Sequence, residues 1–546
     1  VTRLPPSGVR LPLKSVPSKT LSPGRHSARL APMTLDRAVD SLPRTYPGPG
    51  GAVAVLRDGA VLLRHAWGWA NAERRIPFTP RTLFRMCSIT KHFTCGVVLD
   101  AFPDPSVLDA DVSARLPKLE QAPPGALHLC HNQSGLRDYW AVAMLHGSPA
   151  EAPFGDTEAE RVIAGTRTLH FAPGTSYSYV NQNFRMLSDI LQERTGRNFA
   201  ELLRSRIFDR AGMESAFLAA ETSAMPDGTV GYEGTPTGGF RAAENRIQWT
   251  GDAGLGASLD DMIAWERHID ATRDDVDGLY RRLSAPVTFA DGTSAEYGFG
   301  LNRRPVYGRP ASGHGGALRG WRSHRLYLPQ ERVSVVVMFS HLSDAHAAAM
   351  DLLAATLGED RSQPGIDLKP PTWLGTYIEP ETGLSARIDM ASDRHVRLRF
   401  GHTAERLDLR PDGTAGTDGT RLRSGDDGLW MDRPAENRSF RLLPADGTAR
   451  SDIAGRYRCA ELDAELTVTD SGDVIYGGFS GFLGQGRMEL LEPVGPDLWA
   501  LPCPRALDHT PPGDWTLHFH RDGSARPAGV DVGCWLARRL PYARTT

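Results

Sequence analysis

The sequence predicts an α/β domain with an antiparallel sheet flanked by helices, followed by two small antiparallel up-and-down β-barrel domains. Three observations predict it. Strand-like runs near residues 52–71 and again at 297–340 bracket a long stretch of helical periodicity, so the first hairpin must complete a sheet whose other strands come much later. The segment EDRSQPGIDLKPP, 359–371, is rich in proline and charge and marks a linker. Beyond it Gly375, Tyr377 and Glu381 recur as Gly455, Tyr457 and Glu461, each displaced by 80 residues, and both copies lead into short strands.

In chain order, residues 1–32 come first, with six prolines, six basic residues and no acid, and without apolar periodicity. Such a segment buries no core and is expected to be a disordered basic extension. It lacks the apolar central run of a secretory signal. The α/β domain is expected over 33–358. LDRAVDSLPRTY reads as a short amphipathic helix, and AVAVL and AVLLRHAWGWAN read as a hairpin about Arg57-Asp58-Gly59. From 88 to 101, Ile89, Phe93, Val97 and Ala101 recur every four residues and predict a helix with a buried face.

Further helices are expected at NFAELLRSRIF (198–208) and at SLDDMIAWERHID (258–270), where Ser258 is the N-cap. YGFGLN (297–302), HRLYLP (324–329) and VSVVVMFS (333–340) read as successive strands, and DAHAAAMDLLAATLG as the closing helix. After the linker, 372–444 and 445–546 read as the two barrels, with Asp-Gly and Ser-Gly turns between strands, among them Asp412-Gly413 and Ser471-Gly472.

Bulk composition narrows the function. The formal net charge of -3 becomes -9 once the six basic residues of the extension are set aside, which argues against a nucleic-acid partner. No apolar run approaches a membrane span. Six cysteines stand at no metal-like spacing and most sit in apolar context, as reduced core thiols do; with the missing secretory signal this makes the cytoplasm the expected compartment. No His/Asp/Glu cluster has metal-ligand spacing, and neither a metal nor a cofactor is expected. A homodimer is one assembly the sequence allows.

Chemistry gathers at MCSITKHFTC, 86–95. Only five of the 62 basic residues are lysine, so Lys91 stands where arginine would not serve. A desolvated lysine can give up its proton and act as a base, which arginine cannot. Ser88 lies three residues earlier, on the same helical face. A serine hydroxyl attacks an amide only with an adjacent base, and the pair supplies nucleophile and base. Further on, Tyr179-Val180-Asn181 offers a phenolic proton shuttle and an amide that can hold a substrate carbonyl or the lysine. His314-Gly315-Gly316 falls on an expected strand; its glycines let a substrate backbone lie close, and the following N–H, of Ala317, can join that of Ser88 as an oxyanion hole.

The order Ser-x-x-Lys, Tyr-x-Asn, His-Gly-Gly resembles the serine penicillin-recognising hydrolases, which include class C β-lactamases, D,D-carboxypeptidases, related esterases and D-aminopeptidases. Most of these carry Lys-Thr-Gly or His-Thr-Gly as the third motif. With glycine at 315 the hydroxyl that would recognise a substrate carboxylate is missing, which disfavours carboxypeptidase and lactamase roles. The segments HNQSGLRDYWA (131–141), NRIQWTGDAG (245–254), YGFGLN, GHGGALRGWR (313–322) and GCWLAR (533–538) resemble the bacterial D-aminopeptidase family.

That resemblance implies a β-lactamase-like catalytic domain followed by two antiparallel barrels. It implies release of N-terminal D-residues, preferably D-alanine, from small peptides, amides and esters through an acyl-enzyme. Ser88 carries over as nucleophile, Lys91 and Tyr179 as the proton-transfer pair, and His314 as the strand residue facing the site. It also implies a loop of the last barrel reaching the active site to shape the amine pocket. The corresponding stretch is GGFSGFLGQGRMELL (477–491), whose Arg487 would repel an ammonium. Either Arg487 points away, or Glu489 takes the role, or the specificity differs. Asn181 and Asn302 are further expected substrate contacts. The alternatives are a β-lactamase-like esterase or D,D-peptidase using the same nucleophile, and, from another class, a non-catalytic ligand-binding protein.

Overall fold

The computed structural model describes residues 34–359, 368–401, 403–472, 474–503, 513–523 and 526–545. The basic extension and most of the 359–371 linker lie outside them.

The first domain is built on an eight-stranded antiparallel sheet. Its strands run in the spatial order Tyr297–Gly298, Leu301–Asn302, Ser312–Leu318, Trp321–Leu328, Val333–Phe339, Gly50–Arg57, Ala60–Asn71 and Ile76–Pro77. The early hairpin therefore completes a sheet whose other members come some 240 residues later, pairing Gly51 with Phe339 and Val53 with Val337. The apolar run Gly50–Arg57 sits at the centre, covered on both faces. Its alternate residues divide between two cores, as the two-residue period of a strand requires. Val53 and Val55 pack with Val335 and Val337 under the helices Leu35–Thr45 and Ala345–Leu357. Ala52, Ala54 and Leu56 join Val336 and Met338 in the larger core that holds the other helices.

Most helices follow the apolar periodicity. Ser258 caps Leu259–Ala271, its Oγ accepting from Asp261 N at 3.1 Å. Two elements differ from the sequence reading. The 198–208 stretch is α-helical only over Phe199–Leu203 and loosens into a π turn over Arg204–Phe208. YGFGLN is two short strands folded against each other about Phe299 and Gly300, whose φ values are 49° and 71°. The reason is contact with the helix Thr90–Ala101. A β-carbon on Gly300 would stand 2.4 Å from His92 N and 2.5 Å from Lys91 C, so only glycine permits this approach.

The next unit is a closed eight-stranded barrel from Gly375 to Pro444 around its own core. The last comprises ten strands from Gly455 to Arg544 that curl around a second core, with Gly455–Cys459 pairing Ala537–Arg544. The 80-residue repeat appears as geometry. Tyr377 faces Ala386 and Tyr457 faces Leu466, the same register in each copy. Each tyrosine hydroxyl donates to the carbonyl four residues before it, Tyr377 to Trp373 at 2.8 Å and Tyr457 to Ile453 at 2.6 Å.

Candidate active site

The chain turns sharply into the helix that carries Lys91. Cys87 adopts φ 54°, a left-handed conformation costing about 1–3 kcal/mol for a residue with a side chain. One 3-10 turn, Cys87–Ile89, precedes the α-helix Thr90–Ala101. Thr90 holds the turn: its Oγ1 donates to Cys87 O at 2.6 Å and accepts from Leu255 N at 2.9 Å. Ser88 is left half-buried at the surface of the turn, with Lys91 fully buried beneath it.

Lys91 Nζ lies 2.9 Å from Ser88 Oγ, 2.9 Å from Asn181 Oδ1 and 2.8 Å from the backbone oxygen of Asp252. The two carbonyl oxygens can only accept, so they take two N–H bonds of the amine. The third direction faces the serine. When the amine is neutral its lone pair occupies that direction, which is the arrangement a general base needs. The Tyr179 ring borders the same nitrogen, its centroid 4.8 Å away.

Asn181 is itself held. Its backbone N–H and its Nδ2 donate to Asp138 Oδ2 at 2.7 and 2.9 Å, while Trp140 N–H donates to Asp138 Oδ1 at 3.0 Å. These bonds fix the amide so that Oδ1 faces Lys91. Asp138 is fully buried, and burial raises its carboxyl to about 6, although the Asn181 and Trp140 N–H groups and the Lys91 charge pull the other way. Asp138 N–H donates to Leu536 O, in the last domain, at 2.9 Å.

The opposite wall is the strand Ser312–Leu318. Gly316 lets it press against the turn that carries Ser88: a β-carbon there would stand 2.3 Å from Met86 O and 2.2 Å from Ser323 Oγ. His314 Nδ1 faces the carbonyl of Gly315 and so carries the proton, leaving Nε2 to accept from Tyr297 OH at 3.0 Å. Burial, with the Lys91 charge second, lowers this imidazole to about 3, so it is neutral at ordinary pH. At Gly315 a β-carbon would meet His324 Nδ1 at 3.3 Å, so an imidazole adjoins the place of the absent hydroxyl.

Ser88, Tyr179, Asn181, His314, Gly315, Gly316 and Ala317 line one cleft of about 840 Å3. Residues Thr403–Arg406 of the closed barrel and Trp535–Leu536 of the last domain complete it. Asn302 lies outside it, in an adjoining cavity of about 730 Å3 that shares the wall formed by Tyr179, His314 and Gly315. The structure does not bring Arg487 and Glu489 to the cleft. They line a separate cavity, and Arg487 is 80% exposed with its Nε 3.4 Å from Glu489. The cause is pairing within the sheet: Gly477 faces Glu489 and Tyr476 faces Leu490, which folds 477–491 back on its own strand. Gly481 and Gly484 then pack on His146 and Gly147, at the end of the helix Tyr139–Leu145.

Sequence reasoning left Asp138, Asp252, Tyr297, Trp535 and Leu536 without a role. All five fall in segments that carried the family resemblance, Tyr297 opening YGFGLN at the edge of the sheet. His131 packs edge-on against Phe299, with ring centroids 4.5 Å apart. All six cysteines are buried thiols. Among the described residues, no group of three or more His, Cys, Asp or Glu could hold a metal ion, and no helix is long and apolar enough to cross a membrane.

Comparison with known proteins agrees with this architecture. The family described as "Beta-lactamase" matches residues 35–358, and "D-aminopeptidase, domain B" matches 368–543. A D-aminopeptidase of Gluconobacter oxydans (strain 621H) is 62% identical over 525 residues, covering 93% of this chain and 98% of the relative. A D-aminopeptidase of Brucella melitensis biotype 2 is 47% identical over 511 residues, covering 94% of this chain and 98% of its own. Among solved structures, the octameric penicillin-binding protein homologue from Pyrococcus abyssi shares the fold at a TM-score of 0.51 and 18% identity, covering 93% of this chain and 99% of that one. The chain therefore belongs to the D-aminopeptidase family of β-lactamase-like serine hydrolases.

Proposed function

We propose that this protein is a D-stereospecific aminopeptidase that releases N-terminal D-residues from small peptides, amides and esters. Ser88 Oγ attacks the substrate carbonyl while its proton passes to Lys91, and the N–H groups of Ser88 and Ala317 face the oxygen that becomes negative. The tetrahedral species expels the amine, which takes up the proton by way of Lys91 and Tyr179. Water, activated by the same pair, then hydrolyses the ester on Ser88. The observation that carries this reading is the placement of Lys91 Nζ against Ser88 Oγ, with Asn181 and the Asp252 carbonyl fixing its other two directions. Relatives that bear the name D-aminopeptidase along nearly the whole chain support the substrate class. The six buried thiols fit a reducing compartment, and we place the protein in the cytoplasm.

The test is turnover of D-alanine p-nitroanilide, its L-isomer and a p-nitrophenyl ester by wild type and Ser88→Ala. The D-anilide should be cleaved in preference to the L-isomer, and Ser88→Ala should lower the rate by about 10^4-fold or more. Cleavage of the ester alone would favour an esterase with the same nucleophile. Turnover unchanged in Ser88→Ala would refute the assignment.

A further inference from the structure

The cleft around Ser88 is chemically divided. One corner is apolar, formed by Trp140 and Ala141 of the helix Tyr139–Leu145 and by Trp535 and Leu536. The last two sit at the tip of the hairpin that joins the strands Gly529–Cys534 and Ala537–Arg544. Other lining residues are charged, among them Arg304, Arg322, Asp344, Glu405 and Arg406. An alkyl side chain on the α-carbon of an acyl group at Ser88 is best accommodated where the cleft lining is apolar. Burying an alkyl group against the charged residues would strip water from those groups without replacing it, whereas the apolar corner gains by being covered.

The hairpin tip is held from three directions. Leu536 O accepts from Asp138 N at 2.9 Å. Trp535 Nε1 donates to Glu436 Oε1, on the closed barrel, at 2.9 Å. Arg538 ties the two together, with Nε donating to Trp535 O at 3.2 Å and Nη2 to Glu436 Oε2 at 3.2 Å. Trp535 and Leu536 are only 9% and 6% exposed, so most of each side chain is packed against protein. A wall fixed in this way excludes large groups, where a loose loop would yield to them.

We propose that Trp535 and Leu536 form the wall that receives the side chain of the substrate's D-residue and sets its maximum size, so that short alkyl D-residues are accepted and bulky or aromatic ones refused. This rests on the D-aminoacyl hydrolase reading above. The experiment compares kcat/KM for D-phenylalanine and D-alanine p-nitroanilides in wild type, Trp535→Ala and Leu536→Ala. The ratio of the two constants does not depend on how much of a preparation is folded, so a partly unfolded variant still reports. Trp535→Ala should raise the D-Phe to D-Ala ratio at least tenfold and Leu536→Ala about threefold, the range that lost or gained apolar contacts produce in a pocket. A ratio that rises less than threefold in both variants, with wild type active on D-alanine p-nitroanilide, overturns the inference and leaves the activity standing. A wild type inactive on every D-anilide overturns both.

Discussion

Replacing Asp138 by asparagine changes one atom and one charge beneath Lys91, the base proposed for Ser88. The carboxylate accepts at both oxygens, from the two N–H groups of Asn181 at Oδ2 and from Trp140 N–H at Oδ1. A carboxamide accepts at one oxygen and presents an NH2 group at the other position. In the variant, therefore, either Trp140 or Asn181 meets a donor in place of an acceptor. Hydrogen bonds to a charged group contribute about 1.5–3 kcal/mol each. If Asn181 turns, its Oδ1 leaves Lys91, and the base loses one of the two carbonyls that orient it. We expect kcat to fall about 10- to 100-fold, or about 1.4–2.7 kcal/mol of transition-state stabilisation, with KM little changed. The pH dependence separates this from simple damage. With its carboxyl raised to about 6, wild type should lose activity below pH 6 as Asp138 takes up a proton, and that limb should vanish in Asp138→Asn. Stability runs the other way. Because the folded carboxyl lies above its ordinary 3.8, the Asp138 contribution to stability is greatest below pH 4 and is lost as pH rises through 6, so the loss of activity on acidification is not unfolding at this group. Of the groups that face it, Tyr139 and Cys534 are both pushed above their ordinary values by burial and stay protonated near pH 6, and Lys91 is common to both proteins, so the limb that Asp138→Asn removes is the one that belongs to Asp138. The assay is a kcat and KM profile from pH 5 to 9 for both proteins. A variant with wild-type kcat at pH 8, or one that keeps the inflection near 6, would refute the reasoning.

Two further outcomes follow from the same site and core. Gly316→Ala places a β-carbon 2.3 Å from a backbone oxygen of the turn that carries Ser88, so urea unfolding should show a loss of about 1–3 kcal/mol and kcat/KM should fall at least tenfold; Gly315→Ala, whose nearest neighbour is a side-chain nitrogen at 3.3 Å, is the milder control. Burial lowers His131 and His314 to about 3 and His146 and His341 to about 4, so the unfolded chain binds protons near pH 6.5 that the folded chain refuses. Their stability is present above pH 6.5 and is lost as pH falls toward 4, and Tm should drop steeply over that window and less steeply in His341→Gln; a flat profile would contradict it.

What could be read in one dimension was read there. Ser88 and Lys91 share a helical face, and the scarcity of lysine singles the pair out, because spacing and residue choice are both local properties. The fold class was legible for a similar reason: strand-like runs at the two ends of a helical stretch leave few ways to bury both. Asp252 could not be found, since it gives Lys91 only a backbone oxygen, for which residue type carries no signal. YGFGLN looks like one strand until Gly300 meets the backbone of Lys91 and His92, a contact across some 200 residues of chain. Arg487 and Glu489 were drawn toward the cleft by a glycine-rich tip, yet glycine permits a close approach without saying to what. Here the approach is to His146 and Gly147. The 80-residue repeat shows few matching residues because what is duplicated is register and one tyrosine bond, and both tolerate most substitutions elsewhere.

The structure also gives a physical reason for three domains where one carries the proposed nucleophile. The short path Arg137-Asp138-Tyr139 runs beneath Asn181, and each of its residues is anchored outside its own helix. Arg137 Nε donates to Arg538 O at 3.1 Å and its Nη1 pairs with Glu461 at 3.1 Å, both in the last domain. Asp138 N–H is taken by Leu536 O, and Tyr139 N–H by Gln182 Oε1 at 2.9 Å, beside Asn181. On the other strand of the same junction, Ser176 Oγ donates to Glu436 O of the closed barrel at 2.5 Å, three residues before Tyr179. The residues that aim Lys91 at Ser88 thus lie between the helix that bears the lysine and two β-domains that supply none of the side chains proposed for the chemistry. Without those domains Asp138 would lose both its burial and the carbonyl that fixes its backbone, and its hold on Asn181 would be a bond in water rather than in the interior. The position of Lys91 is therefore set by contacts from all three domains, although the pair proposed to do the chemistry spans four residues of the chain.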